Sequence, residues 1–343
     1  MSSRVITMKQ KAKLYCLLFL SLFLFEFNTM NKDEKSNTHS AKYELIRGWL
    51  QFPKDFHTGQ VAGVSVDKNQ NVVFFQRTDR EWTGQFPDSL ISSNTIFLVD
   101  KETGKILNGW GANLFIMPHG LTVDNDDNIW VTDVALQQVF KFSHDGQLLM
   151  KLGVPKTPGD DSAHFNLPTD VAVARDGSFY VSDGYENSRI VNFSKEGNYL
   201  FEWGKKGTGP GEFNIPHSIS LDSRGNVYVA DRENNRIQKF DGNGKFLVEW
   251  KNDEATNLFA VSVSRADKIF AVDNLYVNDS LPMGDDVLQF DANLDLQMRF
   301  GRNDSSIDGN SLYHDIAVDD QENIYVADVG RSRIEKFKKV RNN

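Results

Sequence analysis

From residue 60 to the C-terminus the sequence keeps returning to one pattern, and a chain built from copies of a single short unit has few folds open to it. MPHGLTVDNDDNIWVTDVALQQVFKF (117–142), LPTDVAVARDGSFYVSDGYENSRIVNF (167–193) and IPHSISLDSRGNVYVADRENNRIQKF (215–240) can be laid over one another by eye. Strand-like pieces follow them, such as GNYLFEWG (197–204) and GKFLVEW (244–250). Two further copies are LFAVSVSRADKIFAVDN (258–274) with DVLQF (286–290), and LYHDIAVDDQENIYVADVGRSRIEKF (312–337). The first copy is diverged: QVAGVSVDKNQNVVFFQRTD (60–79) regains the pattern at TIFLVD (95–100) after a long insertion. Each unit alternates with period two between Asp/Asn/Gly turns, and no 3.6-residue period occurs. The units recur roughly every 42–57 residues, the length of a four-stranded propeller blade. We name the strands of a unit a, b, c and d from the centre outward. The N-terminal YELIRGWL (43–50) reads as a d strand, whereas the sixth unit stops after c. Six complete blades therefore require that N-terminal strand to pair into the last one, which also removes an unpaired edge. The expected fold is all-β, a six-bladed β-propeller over 41–343.

Residues 1–40 read as a leader and a polar linker. Arg4, Lys9, Lys11 and Lys13 precede the apolar run LYCLLFLSLFLF (14–25), a basic region and hydrophobic segment of signal-peptide length. No small-residue cleavage site follows, so both a signal peptide and an uncleaved anchor are open. The expected location is secreted or extracytoplasmic, with membrane attachment only through the leader. The net charge is −9, and without residues 1–27, which hold four basic residues and one acidic one, it is about −12. That balance excludes a non-specific nucleic-acid binder. Cys16, the one cysteine, lies in the leader. Any metal site must then be built from His, Asp and backbone oxygen. A closed ring needs no partner edge, and a monomer is expected.

Repetition also separates scaffold from site. Asp133, Asp183, Asp231, Asp273 and Asp328 end five of the six b strands, which marks them as caps of the b–c turns. Positions where a blade departs from its siblings carry the functional information. Just before the core of strand a stand Ala62, His119, Thr169, His217, Phe259 and His314. Histidine thus occupies alternate blades, 120° apart around a six-fold ring, where three imidazoles converge on the axis. Zinc with three His ligands and one open position wants that arrangement, the other reading being three half-buried turn residues. After strand b stand Arg77, Val134, Gly184, Arg232, Asn274 and Val329. Two arginines in opposed blades suit a carboxylate ligand, or else salt bridges to loop acids. Tyr185 follows Gly184 and is a candidate general base, or a packing residue. Asp315, beside His314, could join backbone carbonyls around a hard cation, although Asp170 holds the same place in blade 3.

These residues resemble the lyase domain of peptidylglycine α-amidating monooxygenase, peptidyl-α-hydroxyglycine α-amidating lyase, within the wider NHL-repeat propellers. PHGLTVD, WVTDVALQQVFKF, PTDVAV, VSDGYENSRIV, PHSISL and ADRENNRIQ carry the likeness, which spans about residues 58–338. It implies catalytic zinc on His119, His217 and His314, a catalytic Tyr185, and active-site arginines at Arg77 and Arg232. It also implies structural calcium held by the carbonyls of Val64 and Leu121 and by Asp315. The implied reaction cleaves a peptidyl or acylamino α-hydroxyglycine into an amide and glyoxylate. A separate monooxygenase would then supply the peptide or small-molecule substrate. A calcium-centred propeller lactonase or esterase, and a non-catalytic NHL scaffold, are the alternatives; His, Arg and Tyr around one axis favour the lyase.

Overall fold

A computed structural model describes residues 43–53, 56, 58–254, 256–277, 281–301 and 311–340. The leader, Cys16, His39 and His57 lie outside them. Among the described residues, twenty-four strands form six four-stranded antiparallel sheets. Blade 1 consists of β2 (Val61–Val66), β3 (Val72–Gln76), β4 (Ile96–Val99) and β5 (Ile106–Trp110). Blade 2 holds β6 (Pro118–Val123), β7 (Ile129–Asp133), β8 (Gln138–Phe142) and β9 (Leu148–Leu152). Blade 3 holds β10 (Pro168–Val173), β11 (Phe179–Asp183), β12 (Arg189–Phe193) and β13 (Tyr199–Trp203). Blade 4 holds β14 (Pro216–Leu221), β15 (Val227–Asp231), β16 (Arg236–Phe240) and β17 (Phe246–Lys251). Blade 5 holds β18 (Thr256–Val263), β19 (Ile269–Val277), β20 (Leu281–Phe290) and β21 (Leu296–Gly301). Blade 6 combines β22 (Tyr313–Val318), β23 (Ile324–Asp328) and β24 (Arg333–Lys339) with β1 (Tyr43–Leu45) from the N-terminal side. In that blade Tyr43 pairs with Lys339 and Leu45 with Phe337, so the edge of β24 is covered.

Position in the blade dictates what each strand is made of. The b strands β3, β7, β11, β15 and β23 are buried at every residue, which is why VVFFQ, FYVSD and VYVAD read as nearly unbroken apolar runs. The d strands at the rim alternate exposed and half-buried residues, as in YLFEW of β13. No single core serves the ring. Instead one apolar cluster fills each seam between neighbouring blades, for example Trp130, Phe179 and Phe193 between blades 2 and 3. Trp49, Phe74 and Tyr325 do the same between blades 1 and 6.

The recurring aspartates hold the loops that lead into the a strands more consistently than the b–c turns. Asp133 accepts N–H bonds from Ile116 (2.7 Å), Met117 (2.9 Å) and, in the b–c turn, Leu136 (2.8 Å). Asp183 and Asp231 take the equivalent N–H of Asn166 and Asn214, while side chains of Asn187 and Asn234 fill the turn side. Asp328 serves both, through Leu312 and Arg331. In blade 1 Gln76 substitutes, accepting from Gly59 at 2.8 Å. Each acceptor thus pins the backbone two or three residues ahead of the position that faces the axis. Asp133→Ala orphans three buried N–H groups at about 1–3 kcal/mol each. Urea unfolding should show a loss of about 3 kcal/mol or more. A loss under about 1 kcal/mol would mean these loops hold themselves.

Candidate functional site

Every a–b ladder slips at one place. Pairing jumps from Val61 to Gly63, Pro118 to Leu121, Pro168 to Asp170, Pro216 to Ser218, Leu258 to Ala260 and Tyr313 to Asp315. The residues skipped include Ala62, His119, Thr169, His217, Phe259 and His314, the same six that the repeat alignment places before strand a. A bulge releases a residue from its ladder and re-aims its side chain. Here the freed side chains converge on the axis and the freed carbonyls become acceptors. Gly120 makes room for this, since a Cβ there would lie 2.4 Å from the Thr169 oxygen.

The alternation of His and non-His now has a physical reason. His119 Nδ1 meets the Thr169 carbonyl oxygen at 2.7 Å, His217 Nδ1 that of Phe259 at 2.8 Å, and His314 Nδ1 that of Ala62 at 2.7 Å. Each histidine therefore donates Nδ1–H to the carbonyl at the matching position of the next blade. That hydrogen bond fixes the tautomer and leaves Nε2 as a bare lone pair. The imidazole rings lie 4.6–4.8 Å apart, centroid to centroid, and their candidate ligand atoms fall within 4.8 Å of one another. All three are buried, at 1, 2 and 6% exposure for His119, His217 and His314. Burial, reinforced by neighbouring imidazoles and by Arg232, depresses the basicity of His119 and His217 well below the ordinary value, and Arg77 adds to the effect on His119. Burial and the same arginines bring His314 down to about 3. Three neutral imidazoles with oriented lone pairs form a donor set that fits a transition-metal ion.

Tyr185 closes one side of this cluster. Its hydroxyl lies 3.0 Å from His119 Nε2 and 3.1 Å from His217 Nε2. Arg232 Nη1 donates to the same oxygen at 3.4 Å, with the guanidinium 5.2 Å above the Tyr185 ring and 5.1 Å above Phe259. Arg232 also pairs with Glu233 at 2.9 Å. Arg77 is different, because no carboxylate pairs with it among the described residues. Its Nε donates to the Pro118 carbonyl and its Nη1 to Gln60, while buried Nη2 has no partner among the described residues. Burial lowers Arg77 to about 10, so it stays cationic at neutral pH. A buried cationic group with one Nη unmatched beside three imidazole lone pairs is what an anionic ligand requires.

Beyond the histidines the axis widens into a cavity of about 730 Å³ whose walls include Val64, Leu121, Asp170 and Asp315. Asp315 accepts from the Val64 and Ile316 N–H groups, and Asp170 from those of Ile219 and Val171. Burial raises both carboxyls, and Asp170 adds repulsion to Asp315. Asp170, which the sequence presents only as a sibling of Asp315, is therefore its electrostatic partner. Two such carboxyls on one cavity wall are the oxygen ligands that a hard divalent cation takes.

One functional candidate was missed. Trp82, in the long insertion between β3 and β4, stacks on Tyr185 at 4.8 Å and approaches His119 at 6.3 Å. The insertion is a departure from the sibling blades like the histidines, and its length alone marks it. Its residues have no counterpart to be compared with, so no single one stands out. His144 and His164 lie away from the axis, beside Asp67 and Asp161.

Comparison with known proteins agrees with this architecture. Residues 159–329 match a family described as a 6-bladed beta-propeller, and residues 115–142 match the NHL repeat. Peptidyl-glycine alpha-amidating monooxygenase B of Xenopus laevis is 40% identical over 299 residues, covering 81% of this chain and 34% of that protein. The chain thus spans about a third of the length of its monooxygenase relatives. A probable peptidyl-alpha-hydroxyglycine alpha-amidating lyase of Caenorhabditis elegans is 39% identical, with 70% of this chain and 71% of that one covered. Among solved structures, a streptogramin B lyase superimposes with a TM-score of 0.55 at 15% identity, covering 86% of this chain and 97% of the other. A Xanthomonas campestris gluconolactonase reaches 0.56 at 12%, over 82% and 86%. These last two share the fold. With identity near 40% over most of its length, the chain belongs to the peptidyl-α-hydroxyglycine α-amidating lyase family.

Proposed function

We propose that this propeller is a zinc-dependent lyase that cleaves the N–C bond of a peptidyl or acylamino α-hydroxyglycine, giving an amide and glyoxylate. The observation that carries the reading is the meeting near the axis of three inward-facing imidazole Nε2 atoms, a phenol that touches two of them, and a guanidinium with no carboxylate partner among the described residues. His119, His217 and His314 would hold the metal. When bound, zinc supplies Lewis acidity toward the substrate hydroxyl.

The chain's own groups account for the rest. Arg77 Nη2 receives the substrate carboxylate, which relieves its orphaned state and orients the α-carbon toward the histidines. Tyr185 would act as the phenolate, held by Arg232 Nη1, and its oxygen would take the hydroxyl proton to become the phenol. The C–O bond becomes the glyoxylate carbonyl as the C–N bond breaks. The departing nitrogen keeps the electron pair and takes that proton back from Tyr185 to become the amide, which restores the phenolate. Atoms and charge balance without an oxidant. We further propose calcium between Asp315, Asp170 and the carbonyls of Val64 and Leu121, where it would offset the repulsion between the two carboxyls. A separate monooxygenase activity would have to hydroxylate the glycine first.

Purified zinc-loaded protein incubated with α-hydroxyhippurate should release benzamide and glyoxylate in equal amounts, faster than the uncatalysed decay by at least about 10⁶-fold. Absence of both products from protein carrying one zinc per chain would overturn the reading.

A further inference from the structure

The metal-facing end of the site is buried, with Tyr185 and Arg232 half-buried beside it. Arg77 is 2% exposed and the three histidines no more than 6%, whereas Trp82 is 37% exposed while touching the same cluster. Its indole lies against Tyr185 at 4.8 Å with a 31° tilt, and the Arg77 guanidinium sits 5.4 Å from its centroid. On its far side Phe86 packs edge-on at 5.2 Å. Trp82 thus spans from the arginine of blade 1 to the tyrosine of blade 3, with one face toward the reacting groups and part of the ring open to water.

The loop that carries it is tied down at both ends. Arg80 N–H donates to the Arg77 carbonyl at 2.9 Å, and the Arg80 side chain reaches Ser89 Oγ at 2.9 Å. Ile91, 1% exposed, exchanges backbone hydrogen bonds with Phe115 and Asn113 of the loop leading into β6. Lys156 in blade 2 holds Asp88 at 3.1 Å. The indole is therefore delivered to the axis by a braced arch.

On the lyase reading above, the substrate carboxylate goes to Arg77 and the hydroxyl to the histidines and Tyr185, the arginine and the histidines buried and the tyrosine half-buried. The acyl group on the nitrogen must then lead outward, and the partly open aromatic surface on that path is Trp82 with Phe86. We propose that Trp82 is the specificity-determining residue for the group acylating the hydroxyglycine, and that it selects flat aromatic or bulky apolar acyl groups over small ones. Stacking and apolar burial on an indole discriminate by size and shape without needing a hydrogen bond. This inference rests on the lyase reading, and its test separates the two.

Two reactive substrates, benzoyl- and acetyl-α-hydroxyglycine, are paired with two unreactive acids of the same shape, hippurate and N-acetylglycine. Wild-type protein should favour the benzoyl member of each pair, in kcat/KM and in equilibrium binding followed by calorimetry. Trp82→Ala should lower kcat/KM for the benzoyl substrate by about 10- to 100-fold and for the acetyl substrate by less than about threefold, at unchanged zinc content. Trp82→Phe should recover most of the preference. Equal losses on both substrates, or a hippurate preference that survives Trp82→Ala, would overturn the assignment and leave Trp82 as a prop for Tyr185. Absence of turnover in the wild type would sink the lyase reading, while loss of the hippurate preference in Trp82→Ala would still uphold the acyl contact.

Discussion

His217→Ala should abolish stoichiometric zinc and bring turnover to background, a loss of at least about 10³-fold. The prediction is strong because each of the three histidines is individually oriented. His217 Nδ1 is satisfied by the Phe259 carbonyl, so its Nε2 has no role inside the protein except toward the cluster and the Tyr185 hydroxyl. Alanine removes one of three ligands and leaves the Phe259 carbonyl without its donor. Two imidazoles on one face of an ion cannot replace the third, since the remaining near neighbours are arginines and a phenol. Metal analysis of the purified variant is the direct measurement, with His164→Ala as the control. His164 pairs with Asp161 on the surface and should keep one zinc per chain. Near-stoichiometric zinc in His217→Ala would show that the ion sits elsewhere.

The same geometry fixes the sign of the pH response. Burial makes the neutral imidazole the favoured form, with His314 down at about 3. Protons therefore compete poorly for Nε2 below the usual histidine value of about 6.5. Zinc should be retained when pH falls from 7 to 5, whereas an exposed three-histidine site would lose much of its affinity over that interval. Release of the ion with a midpoint near 6.5 would contradict the burial-driven depression.

How much of this is legible in the sequence depends on whether a residue has siblings. A propeller maps sequence register onto radius, so one position in six copies becomes one ring around the axis. His119, His217 and His314 are visible for that reason, and so are Arg77, Arg232 and Tyr185. The bulge that points the histidines inward is invisible, because period-two alternation continues on either side of it. Their acceptors are invisible too, since any residue at Ala62, Thr169 or Phe259 offers the same carbonyl. The aspartates ending the b strands show the limit from the other side. Repetition marks them as structural, yet which loop they hold is decided by the spatial nearness of the segment leading into strand a. Trp82 lies in a stretch with no siblings at all, and only the fold brings it to Tyr185.

Tyr185→Phe separates metal binding from chemistry. The substitution removes one oxygen and leaves the ring, so contacts with Trp82 and the Arg232 guanidinium persist. Zinc should stay at one per chain, because the three Nε2 atoms gain freedom when the hydroxyl that lies 3.0 Å and 3.1 Å from two of them is gone. KM should change little, since the carboxylate grip is assigned to Arg77. The fall should appear in kcat, by about 10²- to 10⁴-fold, the usual contribution of a positioned acid–base group. Arg232→Ala offers the contrast. It removes the donor to the Tyr185 oxygen but keeps the oxygen itself, so its kcat should lie between wild type and Tyr185→Phe. In the double variant the second substitution should cost little, because Arg232 acts on an oxygen that Tyr185→Phe has already removed. If Tyr185→Phe keeps both zinc and full turnover, the proton must leave by another route. The remaining oxygen-bearing neighbour of Arg232 is Glu233, 2.9 Å from its Nε, and Glu233→Gln would then be the variant that stops the reaction.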